Sequence, residues 1–173
     1  MKSPLWAPWR MQYILAPKDK TRCVFCDAAG ATDEQLRERC VLVVAEHGTV
    51  LLNTYPFNAS HLLVIPHRHA SDIDQLSEAE HAGLWQLTRR AVTCLRRAVE
   101  PQGINLGVNL GQVAGAGIAD HVHVHIVPRW LGDTNFMPVL ADVHVMPQHL
   151  DETWTKLYAH FADIPGRRAS PPG

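Results

Sequence analysis

The sequence predicts an α+β protein: an antiparallel five-stranded sheet with one long helix and a C-terminal helix packed on it. Three observations predict it. Short apolar runs bounded by turn residues recur along the first three quarters of the chain. One long amphipathic stripe begins behind a capping box. The run His121-Val122-His123-Val124-His125-Ile126-Val127 alternates imidazoles with branched apolar residues. As a strand it places its apolar side chains on one face and all three histidines on the other.

Each element follows from local pattern. Residues 1–22 contain prolines and tryptophans without periodicity, and read as an extension packing over a surface or a partner subunit. Residues 23–162 form the domain. The polar stretch Ala28 to Arg39 suits a short helix. Val41–Ala45 and Val50–Asn53, divided by His47-Gly48, read as a hairpin, and Tyr55-Pro56-Phe57-Asn58 as a turn before a third strand, His61–Pro66. Ser77 and Glu80 form a capping box for a helix of about six turns. Its Leu84, Leu87, Ala91, Leu95 and Ala98 recur at three- and four-residue steps and make one apolar stripe. Ile104–Leu110 is the fourth strand, the histidine run the fifth, and Asp151–Phe161 the C-terminal helix. The Pro-, Gly- and Arg-rich tail, residues 163–173, is expected to be disordered. With the helices on one face, the histidines occupy the other, an open surface that needs a ligand or a partner.

Composition narrows the function. The chain has 173 residues, 46% of them hydrophobic, enough for one core. Lys and Arg number 16 against 17 Asp and Glu, for a net charge of −1 and no basic stripe. Long nucleic acid is therefore excluded as a ligand, because that affinity needs phosphate neutralised at many positions. A small anion needs only a few donors. No apolar run approaches the roughly 20 residues that span a bilayer, so no membrane association is expected. Met1 to Arg10 holds two prolines and two tryptophans where a signal core would stand, and a cytoplasmic location is expected.

The candidate chemistry lies in three places. The row of histidines is flanked upstream by a glycine-punctuated run, Gly107 through Gly117, that can bring main-chain N–H groups to an anion. Together they suggest phosphate chemistry or a metal; a solvated His-rich edge strand is the bland alternative. Cys23-Val24-Phe25-Cys26 is a metal pair or a redox pair, and a metal there needs histidines to complete its shell. Cys40 and Cys94 read as small core residues. A catalytic three-histidine metal site is disfavoured, because no acidic ligand lies close in sequence to complete it.

The histidine run resembles the motif of the histidine triad (HIT) superfamily. The flanks agree: Leu5-Trp6-Ala7-Pro8-Trp9-Arg10, the Cys23/Cys26 pair, Asn58 through Pro66, Asn109-Leu110-Gly111, Ala114 through Gly117, and Val127 through Trp130. Gly132 through Met137, with Met146-Pro147, resembles the branch of bacterial diadenosine tetraphosphate phosphorylases and fragile-histidine-triad-like hydrolases. The resemblance implies that His123 attacks the α-phosphorus of a dinucleoside polyphosphate, forming a nucleotidyl-histidine that phosphate or water then resolves. It implies that His125 bonds the phosphate or bridging oxygen, that His121 completes the catalytic row, and that N–H groups around Ala116, Gly117 and Ile118 hold the non-bridging oxygens. A carbonyl between Ala114 and Gly117 is expected to fix the His123 tautomer. Asn109 matches a phosphate or leaving-group contact, while Asn53 and His61 match positions near the ribose and the phosphate. The family also implies a structural zinc on Cys23, Cys26, His69 and His121, with His67 as the rival to His69, no organic cofactor, and a homodimer. Arg129 is left between a phosphate contact and a surface salt bridge. Phosphorylases of this kind carry a serine where this chain has Gly117, so phosphate and water both stay open as acceptors. A non-catalytic nucleotide-binding protein and a hydrolase of nucleoside phosphoramidates or adenylates are the alternatives.

Overall fold

Branched aliphatic residues build the sheet where the sequence predicts it. The hairpin is β1 (Val41–Ala45) and β2 (Gly48–Leu52), followed by β3 (Leu62–Ile65), β4 (Gly103–Val108) and β5 (Val124–Arg129). All pairings are antiparallel, in the order β1-β2-β3-β5-β4. The computed structural model describes residues 23–28, 30–133 and 149–169.

Register separates the two faces of the sheet. Val50, Val64 and Val124 stand in one cross-strand row and Leu52, Leu62 and Ile126 in the next on the same face. All six are buried. A Cβ placed on Gly48, in line with Val50, would lie 3.4 Å from Leu87, so the long helix covers this face. The opposite face carries Leu51, Leu63, His125 and Gly107 in one row.

The long helix, α2 (Glu78–Val99), starts at the expected Ser77/Glu80 capping box and buries Leu84, Leu87, Ala91, Leu95 and Ala98. It ends at Glu100 in the left-handed region, just ahead of Pro101, whose ring and missing N–H stop the helix. A second capping box, Thr32 with Gln35, opens the short α1 (Asp33–Glu38) inside the polar stretch. The C-terminal helix, α3 (Leu150–His160), is pinned to the sheet by Trp154. That indole is fully buried, donates to the Val41 carbonyl at 2.9 Å, and lies under the Arg37 guanidinium. Cys40 and Cys94 are buried core residues.

Two expectations change. The fifth strand starts at Val124 rather than His121, because both neighbours run out there: Val124 is the last partner of Val64 on β3 and of Val108 on β4. The N–H of Val122 instead donates to the Ala70 carbonyl at 2.7 Å. The strand also continues through Pro128, where β3 no longer pairs and a missing N–H is tolerated. The tail, expected to be disordered from residue 163, is packed through Ala169. Ile164 and Ala169 are buried, and Arg167 exchanges two backbone hydrogen bonds with Val44, at 2.7 and 2.8 Å. Only glycine fits at 166, since a Cβ there would stand 2.3 Å from the Val44 carbonyl oxygen. This bridge covers the β1 edge. At the other edge β4 stays exposed on most of its length among the described residues. The expectations for residues 1–22, including Trp6 and Trp9, for 134–148 and for 170–173 lie outside the described residues.

Candidate functional site

Two linked clusters form where the chain enters β5. The first gathers Cys23, Cys26, His69 and His121, whose ligand atoms all lie within 4.8 Å of one another. His121 Nδ1 is 3.4 and 3.5 Å from the two sulfurs, and His69 Nδ1 is 3.2 Å from Cys26 Sγ. Bonds of about 2.0–2.3 Å to a tetrahedral ion give ligand-to-ligand edges of roughly 3.5 Å, so the spacing fits one. Protonation fits as well. The His121 Nε2–H donates to the Pro66 carbonyl at 3.0 Å, which leaves the Nδ1 lone pair facing the sulfurs. The rival His67 is drawn away, its Nε2–H donating to the Ala45 carbonyl at 2.7 Å.

The second cluster is a row of imidazoles with main-chain groups at both ends. His123 Nδ1–H donates to the His121 carbonyl at 2.8 Å, so Nε2 keeps its lone pair. The tautomer is therefore fixed by a carbonyl two residues back, and not by one between Ala114 and Gly117. An extended segment brings a side chain level with that carbonyl, whereas the loop carbonyls belong to a separate turn. At the other end, His61 Nδ1 accepts from the Phe57 N–H at 3.0 Å and from Asn53 Nδ2 at 3.3 Å. The Asn53 amide is itself oriented, because its Oδ1 accepts the Tyr55 N–H at 2.9 Å. With Nδ1 an acceptor, the His61 proton sits on Nε2 and is donated to His125 Nδ1 at 3.0 Å. The proton of His125 is thereby placed on Nε2, a buried atom with no hydrogen-bond partner among the described residues. His123 and His125 are ring neighbours, 4.8 Å between centroids. A bare nitrogen lone pair and a poised N–H donor stand side by side.

Burial sets the charge of this row. It lowers the His61 pKa to about 3, helped by the facing His125 and His123, and the His125 pKa to about 4, helped by His123. Burial also lowers His123, against the opposing pull of its bond to the His121 carbonyl. At neutral pH the row is uncharged, which three adjacent imidazoles require.

The glycine-rich segment forms a tight loop beside the row. Gly111 and Gly115 take positive φ values of 81° and 90°, where a side chain would be strained. The N–H of Ala116, expected to face substrate, is used inside the loop on the Gly111 carbonyl at 3.3 Å. Asn109 lies against this loop, its Nδ2 3.8 Å from where a Gly115 Cβ would stand, and Ile118 packs on the core behind Gly117. Gly107, paired across from His125, has open space where a Cβ would go. Arg129 makes the salt bridge, two-pronged onto Asp133 at 2.6 and 2.9 Å.

Sequence reasoning missed three contributors. Phe25, inside the cysteine pair, packs edge-on to His121 and tilted against His123 at 5.5 and 5.4 Å. Phe57 stacks on His61. Asn58 Nδ2 ties the 53–61 turn to the end of β5 by donating to the Pro128 carbonyl at 3.1 Å and to Asp133 at 2.8 Å. Phe57 and Asn58 both lie in the Tyr55–Asn58 turn cluster, where only the polar Asn58 signalled a role in holding the turn.

Residues 37–130 match the model of the HIT domain. The chain belongs to the HIT domain family. Over 166 residues it is 39% identical to the AP-4-A phosphorylase of Mycobacterium tuberculosis, covering 93% of this chain and 85% of that protein. The hypothetical histidine triad nucleotide-binding protein ST2152 of Sulfolobus tokodaii shares the fold at a TM-score of 0.64 and 25% identity, over 82% of this chain and 93% of that one. A zinc-bound histidine triad family protein of Mycobacterium smegmatis does so at a TM-score of 0.63 and 25% identity, over 83% and 96%.

The depressed imidazoles have a consequence for stability. Below about pH 6.5 the unfolded chain takes up protons that folded His61 and His125 refuse until about pH 3 and about pH 4. Their contribution is complete above pH 6.5 and is lost as the pH falls, by up to ~1.4 kcal/mol per pH unit for each group. Urea midpoints between pH 7 and 5 fall accordingly, and H61N flattens that slope by about one proton. An unchanged slope in H61N refutes the assignment.

Proposed function

We propose that this HIT-family enzyme cleaves dinucleoside polyphosphates, diadenosine tetraphosphate first among them, at the α-phosphate. The observation that carries this reading is the side-by-side pair of His123 Nε2, an unprotonated nitrogen, and His125 Nε2–H, a buried donor without a partner. The nitrogen lone pair of His123 attacks phosphorus, an N–P bond forms, and the P–O bond to the departing nucleotide breaks. The leaving ATP departs as an anion, so His125 donates a hydrogen bond rather than a proton, in keeping with its neutral state. Gly107 leaves room beside His125, and in this reading the main chain at Gly117 and Ile118, with Asn109, would meet the phosphate oxygens. Asn53 and His61 act behind His125 by fixing its tautomer. Phosphate then displaces the nucleotide from His123 and restores the free imidazole. The 39% identity to a protein named AP-4-A phosphorylase supports phosphate over water.

Cys23, Cys26, His69 and His121 would hold zinc as a closed structural site, joining residues 23–28 and 69 to the entrance of β5. Held there, zinc would supply structural stability and leave the chemistry to the imidazoles. A homodimer paired through β4 would cover the sheet edge left exposed among the described residues, where Leu106 lies exposed.

Incubation of the protein with diadenosine tetraphosphate and phosphate yields ADP and ATP, while water alone as acceptor gives AMP and ATP. H123A loses at least about 1,000-fold in turnover, and equal rates in the two proteins reject the mechanism. Metal analysis finds about one zinc per chain, reduced in C26S together with the thermal midpoint; metal-free wild type of unchanged stability rules the site out. Light scattering gives twice the chain mass, and a charged substitution at Leu106 halves it. A monomeric wild type removes the β4 interface.

A further inference from the structure

The imidazole row does not stop at His61. Ring centroids run 4.8 Å from His123 to His125, 5.2 Å from His125 to His61, and 5.3 Å from His61 to Phe57. The two ends of this row differ. Beyond His123 it is closed by Phe25, which is buried, and by the cysteine cluster. At the other end Phe57 is 59% exposed. It lies nearly parallel to His61, at 19°, so one face of the ring is covered by imidazole and the other meets solvent.

Phe57 is not a loosely held surface residue. Its N–H is the donor that sets the His61 tautomer, and its turn is tied down by Asn53 and Asn58. A rigid aromatic face in water, 6.2 Å from the His125 ring, is an apolar surface with no covering group among the described residues. Aromatic faces of this kind stack nucleobases, whatever the base, because every base presents a π-face. A dinucleoside polyphosphate has two bases, and its departing half must leave the buried histidines by the open end of the row.

We infer that Phe57 is the stacking platform for the base of the departing nucleotide, and so a specificity residue that favours dinucleoside over mononucleoside polyphosphates. This rests on attack by His123 at the α-phosphate, as proposed above. The platform adds nothing to a substrate whose leaving group has no base.

The test compares diadenosine tetraphosphate with adenosine 5′-tetraphosphate, which has the same polyphosphate but lacks the second nucleoside. F57A lowers kcat/KM for the dinucleoside about tenfold more than for the mononucleoside, mostly through KM. F57W retains the dinucleoside preference. Equal losses on both substrates, or no loss on either, overturn the inference and leave the catalytic reading standing. Equal losses accompanied by a change in oligomeric mass would place Phe57 at a contact between copies of the chain instead. Wild-type protein that turns over neither substrate sinks the catalytic reading, and the platform with it.

Discussion

Main-chain groups decide where each proton sits in the buried histidine row, and the rest of the site depends on that assignment. The Pro66 carbonyl takes the Nε2–H of His121, and the His121 carbonyl takes the Nδ1–H of His123. From the far side the Phe57 N–H occupies Nδ1 of His61, which leaves the His61 proton on Nε2, where it is donated to the lone pair of His125 Nδ1. Neutral imidazole has one donor and one acceptor, so fixing His61 fixes His125 through their shared hydrogen bond, while the His121 carbonyl fixes His123 independently. The result is one lone pair on His123 beside one N–H on His125 that has no partner among the described residues.

His121 joins the two clusters through different atoms. Its Nδ1 faces the sulfurs, its Nε2 holds Pro66, and its backbone carbonyl holds His123. An ion bound by Cys23, Cys26, His69 and His121 would therefore stiffen the very peptide that orients the neighbouring ring, without touching substrate. The departure of the chain from the ladder at Val124 makes this possible, because a paired strand would have committed the main chain of residues 121–123 to sheet hydrogen bonds.

Burial favours the uncharged row and imposes its own requirement. Adjacent imidazolium ions in a dry pocket would repel strongly, so the depressed pKa values of His61 and His125 are a condition of packing them together. The unsatisfied Nε2–H of His125 is the one donor in the row left over after that packing. A buried donor of this kind costs stability until a ligand oxygen meets it.

The sequence by itself determined the parts that depend on neighbours along the chain. Strand and helix positions, the Ser77 cap, the buried stripe from Leu84 to Ala98, and the alternation at 121–125 follow from period and local hydrogen bonding. The spacing of Cys23 and Cys26 marked them as candidates for a metal or redox pair. Tertiary structure decided what depends on groups distant in sequence. It inserted β5 between β3 and β4, set His69 beside the sulfurs while His67 bonds Ala45, and turned Asn53 and His61 into supports for His125. It also brought Gly166 against Val44, ordering a tail whose composition argues for disorder. A tautomer, the placing of His67 away from the sulfurs and an edge closure each hang on one or two hydrogen bonds between remote residues, and periodicity carries no record of such bonds.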